Sequence, residues 1–355
     1  MAKQVKIKDI AKMAGVSAGT VDRILHNRGK VSKASREAVE KVLSEVDYKY
    51  NIHTSAISLR KEYRIVISTP MPGIGEYWGS VQSGINFALK EYSDIRITCI
   101  YAYYNQFDIY SCRSAFGSII QQSPDAVIIG PTFADETREL CILLEGKGIP
   151  YCFVDSVIED TRPVASYTTD QYACGRILGK LLNGITPYGS ELAIFSTQRV
   201  GNRTANNSLV RRKGFTDFMS GPNVSHTIKN ATFSAMNPEE NENNVMDFFR
   251  ENRDVKGIAV MNSRGYIIAD LLKKYRVTDV KLISFDLTSN NIRCLNDGSI
   301  SILLCQRPEL QGFQAVKSII SHLLYKQEET EIHHMMPIDI VMKENLPFYQ
   351  EFLGA

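Results

Sequence analysis

Apolar residues along this chain keep two different rhythms. Over the first 46 positions they recur at helical spacing. Ile7, Ile10, Ala11 and Ala14 share one face, Gly15-Val16-Ser17 breaks the run, and Val21, Ile24 and Leu25 resume it. Ser17 is an N-cap residue type, so the spacing predicts two short helices joined by a tight glycine turn. After Asn27-Arg28-Gly29-Lys30-Val31, Ser32 caps a third helix with Val39, Val42, Leu43 and Val46 inward. Three such helices can close one small core. The first pair is a helix-turn-helix, whose second helix can lie in the major groove of DNA.

From Arg64 the rhythm changes to short apolar strands alternating with stretches of helical length. RIVIST precedes a helix ending near Tyr92, IRITCIYA a helix from Asp108, and AVIIG a helix from Asp135. PYCFVD, ELAIF, TIKNATF, GIAVM, VKLISFD, SISILLC and IDIVM follow. Alternation of this kind predicts an α/β body with doubly wound parallel sheets. The roughly 290 residues involved exceed what one hydrophobic core holds, so two lobes are expected. The division this predicts is a headpiece at 1–49, a linker at 50–63 and a core at 64–355. Within the core, the first lobe takes about 64–168 plus 306–334 and the second about 169–305 plus 335–355. A ligand would then sit at the carboxyl ends of the strands, in the cleft between lobes.

Composition narrows the class. With 44% hydrophobic and 23% charged residues the chain has a globular balance. It has no apolar run long enough to span a bilayer, and its first 20 residues lack a signal-peptide core, so a cytoplasmic location is expected. The net charge of +2 conceals an asymmetry. Residues 1–64 hold 14 Lys or Arg against 7 Asp or Glu, and the remainder holds 27 against 32. A small basic end on a mildly acidic body implies that one end meets a polyanion. Seven cysteines without a CxxC pair read as reduced, mostly buried thiols, and neither a metal site nor a cofactor is expected. His333-His334 precedes Met335-Met336-Pro337, where a lobe crossover or the start of a strand is expected, and reads as structural.

Gly73-Ile74-Gly75-Glu76-Tyr77-Trp78-Gly79 follows the first strand much as a dinucleotide-binding loop would. The second strand, however, ends in aromatics and lacks the acidic residue that holds a ribose hydroxyl. An NAD-dependent, sugar-handling enzyme is therefore the weaker alternative, as is a non-regulatory sugar-binding protein. No Ser/His/Asp order or metal spacing accompanies the loop, and the expectation is that the protein is not an enzyme.

The run IKDIAKMAGVSAGTVDRILHNRGKVSKASREAVEKVLSEVDYKYN resembles the DNA-binding headpiece of the lactose-repressor (LacI/GalR) family throughout, including A-G-V-S, T-V-x-R and the closing Y-x-x-N. The resemblance implies that Ala18, Gly19 and Arg23 face base edges, Arg23 with the fork that suits guanine. Ser17, Thr20 and Asn27 would hold phosphates. Asp22 departs from the small residue common in the family; it either accepts from cytosine N4 or points away. In the linker Tyr50 replaces the usual proline, and Ile57 falls at the position of the apolar wedge that unstacks a base step.

The body resembles the effector core of the same family and its periplasmic sugar-binding relatives. The motifs are V-D at Val154-Asp155, D-x-x-x-x-G at Asp170 to Gly175, R-x-x-G-F at Arg211 to Phe215, M-N at Met261-Asn262, F-D at Phe285-Asp286 and Q-R-P at Gln306 to Pro308. The resemblance implies that Asp155, Arg211, Asn262, Asp286 and Gln306 grip sugar hydroxyls, with Tyr77 and Trp78 as candidates for stacking on the sugar. Ser156 stands where ribose binders tend to have arginine, which speaks against ribose itself. The implied partners are double-stranded operator DNA, a small sugar effector and a second copy of the chain. The implied role is a transcriptional regulator, by family default a repressor relieved by ligand.

Overall fold

A computed structural model describes residues 7–25, 31–45, 61–200, 206–326 and 330–353. The amino-terminal unit contains α1 (Ile7–Met13), α2 (Ala18–Leu25) and α3 (Lys33–Glu45). Ile10, Ala11, Val21, Ile24, Val39 and Val42 form its core, with Ala14, Val16, Val31 and Leu43 packed around them. Gly15 ends α1 at φ +64°, a conformation that spares glycine the penalty of a side chain. The Ser17 hydroxyl accepts from the Thr20 N–H at 3.1 Å and so caps α2, as Ser32 caps α3 through the Ser35 N–H at 3.2 Å.

Among the described residues the core unit has twelve strands: β1 (Tyr63–Ser68), β2 (Ile97–Tyr101), β3 (Ala126–Ile129), β4 (Tyr151–Asp155), β5 (Ala165–Thr168), β6 (Glu191–Thr197), β7 (Thr227–Phe233), β8 (Val255–Val260), β9 (Lys281–Phe285), β10 (Ile302–Cys305), β11 (His333–Met335) and β12 (Asp339–Val341). They form two six-stranded sheets, in the orders β11-β5-β4-β3-β1-β2 and β12-β10-β9-β8-β6-β7. Every pairing is parallel except β10 with β12. The inner strands β3, β4, β5 and β10 are buried along their whole length. Helices cover both faces, which is why these strands read as continuous apolar runs.

Those helices are α4 (Tyr77–Glu91), α5 (Ile109–Ile119), α6 (Ala134–Gly146), α7 (Gln171–Ile185), α8 (Asn206–Met219), α9 (Pro238–Glu251), α10 (Gly265–Lys274), α11 (Ser289–Asn296), α12 (Pro308–Tyr325) and α13 (Leu346–Leu353). In each lobe the tightest helix pair is made by two facing glycines. A Cβ on Gly84 of α4 would collide with the Glu309 carbonyl of α12, and one on Gly312 with that of Val81. In the second lobe Gly175 of α7 sits against the Arg211 carbonyl of α8, and Gly214 against that of Tyr172. Close backbone approach of this kind is open only to glycine.

The chain crosses between lobes after β5, after β10 and after β11. Met335 still pairs with Thr168 and the Met336 N–H donates to the Thr168 carbonyl at 2.7 Å, so the last crossing follows Met336. Strand β5, short and containing Ser166 and Thr168, gives no apolar run and escapes the sequence reading. The histidine pair lies on β11. His333 Nδ1 is 2.8 Å from the Ser166 hydroxyl and His334 stacks on Tyr167 at 4.7 Å. Among the described residues no group of three His, Cys, Asp or Glu side chains is arranged to hold a metal ion, and no helix is long and apolar enough to cross a membrane.

Candidate functional site

Two surfaces carry the residues singled out above. On α2, Val21 and Ile24 face inward, whereas Ser17, Ala18, Gly19 and Arg23 are exposed. Arg23 folds its Nε onto the Gly19 carbonyl at 3.1 Å, and the Ser17 and Thr20 hydroxyls lie 2.9 Å apart. The side chain of Asp22, together with Asn27 and Ile57, lies outside the described residues.

In the core, a cavity of about 70 Å³ opens between the lobes, lined by Tyr77, Trp78, Asp155, Arg211, Asn262, Asp286 and Gln306. All seven cleft residues named from the sequence therefore meet around one space. Its volume admits several groups of water size, at about 10–15 Å³ each. Asp155 ends β4 and Asp286 follows β9, the equivalent strand of the other sheet. Both adopt left-handed backbone, at φ +72° and +64°. Aspartate tolerates that conformation, and its use here turns both carboxylates out of the strand direction.

Each charged group is held by named partners. Asp155 accepts from the Tyr77 hydroxyl at 2.7 Å on Oδ1 and, across the cleft, from the Asn207 amide at 2.8 Å on Oδ2. Asp286 accepts from Gln306 Nε2 at 3.0 and 3.1 Å on its two oxygens. Arg211, one turn and a half into α8, donates to Gln171 Oε1 at 2.7 Å, to the Met261 carbonyl at 2.8 Å and to Gln306 Oε1 at 2.7 Å. Its guanidinium lies 4.0 Å over the Phe285 ring. Three of its five N–H groups are thus used and two remain, while every carboxylate oxygen keeps an accepting lone pair. Among its charged groups the cavity therefore offers more acceptors than donors.

Burial sets the electrostatics. It pushes the Asp286 carboxyl up to about 7, with Asp155 adding to the rise and Arg211 and the Gln306 amide opposing it. Asp155 is raised for the same first reason, against Arg211, Tyr77 and Asn207. The Tyr77 hydroxyl is held well above its ordinary value by burial and by the two carboxylates. A second anion brought into this space would meet two buried carboxylates, whereas a ligand rich in hydroxyl donors would satisfy them.

Sequence reading missed the bracing residues. Asn207 lies four positions before Arg211, so N-x-x-x-R on one helix face was the available signal. Gln171 and Thr169 share the Gln306 side-chain oxygen at 3.2 and 3.0 Å, and Gln311 holds the Asp155 N–H at 2.8 Å, all at the lobe crossings. Gln106, Thr132 and Ser263 also line the cavity. Tyr77 proves to be a hydrogen-bonding residue as much as a ring, and Trp78 sets its edge against it at 5.2 Å while covering Gly130. The glycine-rich loop is used up internally. A Cβ on Gly79 would strike the Gly73 carbonyl, and Gly75, at φ +72°, lies against Ser289, whose N–H donates to the Gly75 carbonyl at 2.8 Å. No open cradle for a pyrophosphate is formed there.

Comparison with known proteins gives this geometry a family. The profile of the periplasmic binding protein domain matches residues 65–327, and that of bacterial regulatory proteins of the lacI family matches residues 6–51. A Bacteroides fragilis structure assigned to the LacI transcriptional regulators superposes with TM-score 0.77 at 33% identity, covering 81% of this chain and all of that one. The chain belongs to the LacI family. LacI-family membership accounts for a helix-turn-helix and a two-lobed core in one polypeptide. A glucose-galactose binding protein from Geobacillus stearothermophilus shares the fold of the core at TM-score 0.70 and 22% identity, over 81% of this chain and all of its own. Among curated relatives, the HTH-type transcriptional regulator DegA of Bacillus subtilis is 35% identical over 79 residues, 21% of this chain and 23% of its own. The chain thus spans about a quarter of that relative's length.

Proposed function

We propose that this LacI-family chain is a sequence-specific DNA-binding transcriptional regulator, acting as a repressor in the cytoplasm. Its operator affinity is set by a small neutral sugar or polyol held between the lobes. It works by binding alone, without catalysis, as a homodimer whose two α2 helices read the half-sites of a near-palindromic operator. The observation that carries the effector assignment is the surplus of buried acceptors: Asp155 and Asp286 face a single guanidinium that has spent most of its donors. A polyol supplies the missing donors, and the Tyr77 and Trp78 rings suit its apolar face. The ligand alters DNA affinity only through its different affinity for the open and closed cores.

A thermal-shift panel of neutral monosaccharides, disaccharides, sugar acids and sugar phosphates tests the effector class, since a ligand that prefers the folded state raises its melting temperature. A stabilising hit among neutral monosaccharides is expected; stabilisation by anionic compounds alone refutes the assignment. With that hit in hand, Asp286→Ala is expected to abolish the ligand response in operator-binding titrations while leaving operator affinity intact. Arg23→Ala is expected to weaken operator binding by about 1–3 kcal/mol more than non-specific binding, and equal losses on both would remove its base-reading role.

A further inference from the structure

On the rim of the cleft the second lobe grips a short first-lobe segment, Gln106–Asp108. Arg199 donates from Nη1 to the Thr132 carbonyl at 3.1 Å and from Nη2 to the Gln106 carbonyl, and its guanidinium lies 4.3 Å over the Phe133 ring. The next residue, Val200, donates its N–H to the Phe107 carbonyl at 2.8 Å and forms a single parallel bridge with Asp108. Arg264, also from the second lobe, lies 4.9 Å over the Phe107 ring, with its other end 3.7 Å from Glu76. Two arginines of one lobe thus cover two phenylalanines of the other.

The partners of Arg199 are two carbonyls and a ring, with no carboxylate within ion-pair distance among the described residues. Burial accordingly lowers its pKa to about 10. On the same rim Arg264 and Glu76 stand 3.7 Å apart, too far for a direct hydrogen bond, so no short charged pair locks the cleft there. Neutral acceptors instead offset the desolvation of the Arg199 guanidinium with little surplus, so the contact can release to water and re-form. Both carbonyls belong to residues that line the cavity, Gln106 and Thr132. A hold on those carbonyls fixes that wall of the cavity.

We propose that Arg199 is the positioning residue of a clasp that closes the cleft from within the protein, setting Gln106 and Thr132 against the cavity whatever it contains. Effector affinity is then scaled by the fraction of molecules in which the clasp is made. The closure itself does not rest on the regulatory reading above, whereas its bearing on effector affinity does; the test reads the closure and uses neither DNA nor sugar.

The test is hydrogen exchange of the full chain, read at the Val200 amide, with small-angle scattering alongside. Wild type is expected to protect this amide. Arg199→Ala is expected to speed its exchange about tenfold or more and to enlarge the radius of gyration, with protection in β3, β4, β8 and β9 unchanged. Arg199→Lys keeps the charge but cannot span two carbonyls, and is expected to fall between the two. Were Arg199→Ala to lose protection in those central strands, Arg199→Lys decides the matter. An unprotected Val200 amide in wild type, or variants matching wild type in exchange and scattering, overturns the proposal.

Discussion

The two lobes of the core are built to one plan and equipped differently. Strand order, the facing glycine pair and the left-handed aspartate at the end of the fourth strand recur in both. Yet the first lobe brings to the cavity the rings of Tyr77 and Trp78 with Asp155, and the second brings Arg211, Asn262, Asp286 and Asn207. The plan fixes where a strand-end side chain points; the residue placed there fixes what it can hold. One lobe supplies a face and an acceptor, the other a dense polar grip, and a ligand must meet both at once.

The asymmetry is broken most severely at Arg211, which has no counterpart in the first lobe's share of the cavity. Arg211→Ala leaves Asp286 and Asp155 without their cation and should cost about 3–5 kcal/mol in urea unfolding. Arg211→Lys should recover only part of that loss, because one ammonium cannot serve Gln171, Met261 and Gln306 together. Stability equal to wild type in Arg211→Ala would mean the second lobe's network is not what holds the carboxylates.

A milder pair of changes separates plan from equipment. Gly84→Ala and Gly175→Ala both push a helix off its neighbour and should each cost about 1–3 kcal/mol in thermal unfolding. The second moves the backbone of Arg211 itself, whereas the first acts seven residues from Tyr77 on α4, so Gly175→Ala should weaken binding of the sugar found by thermal shift more than Gly84→Ala does. Equal effects on binding would erase the functional distinction between the lobes.

A change of pH tests the second lobe's equipment without altering the sequence. Asp286, at about 7 in the folded protein against 3.8 for the free group, contributes stability fully present below about pH 4 and lost as pH rises through about 7. Asp286→Asn should flatten the fall in melting temperature across that interval. An unchanged slope would move the titration to another group.

Much of this was legible in the sequence because it is local. The apolar rhythm announced nearly every strand, and the family resemblance, carried by short motifs at strand ends and helix starts, named Asp155, Arg211, Asn262, Asp286 and Gln306 as cleft residues. What stayed hidden depends on approach between distant segments. Asn207 meets Asp155 across 52 positions, and Arg199 meets Gln106 across 93. Beyond its spacing from Arg211, little distinguishes Asn207 from an ordinary surface amide, and nothing local distinguishes Arg199 from a surface cation. Strand β5 was hidden for a different reason: its burial comes from neighbours on both sides, not from its own composition.

The segment from His333 to Val341 joins both sheets, in parallel on β5 and antiparallel on β10. Helix α12, which completes the packing of the first lobe, likewise follows β10 of the second. During synthesis, then, a lobe whose first strand begins at Tyr63 lacks its last strand until Met335 has been made. Neither half can mature on the ribosome ahead of the other. Long-range closure of this kind makes folding slow, and it leaves the edge of β5 without its neighbour from Thr168 until β11 is made, a stage at which chaperone capture would matter most.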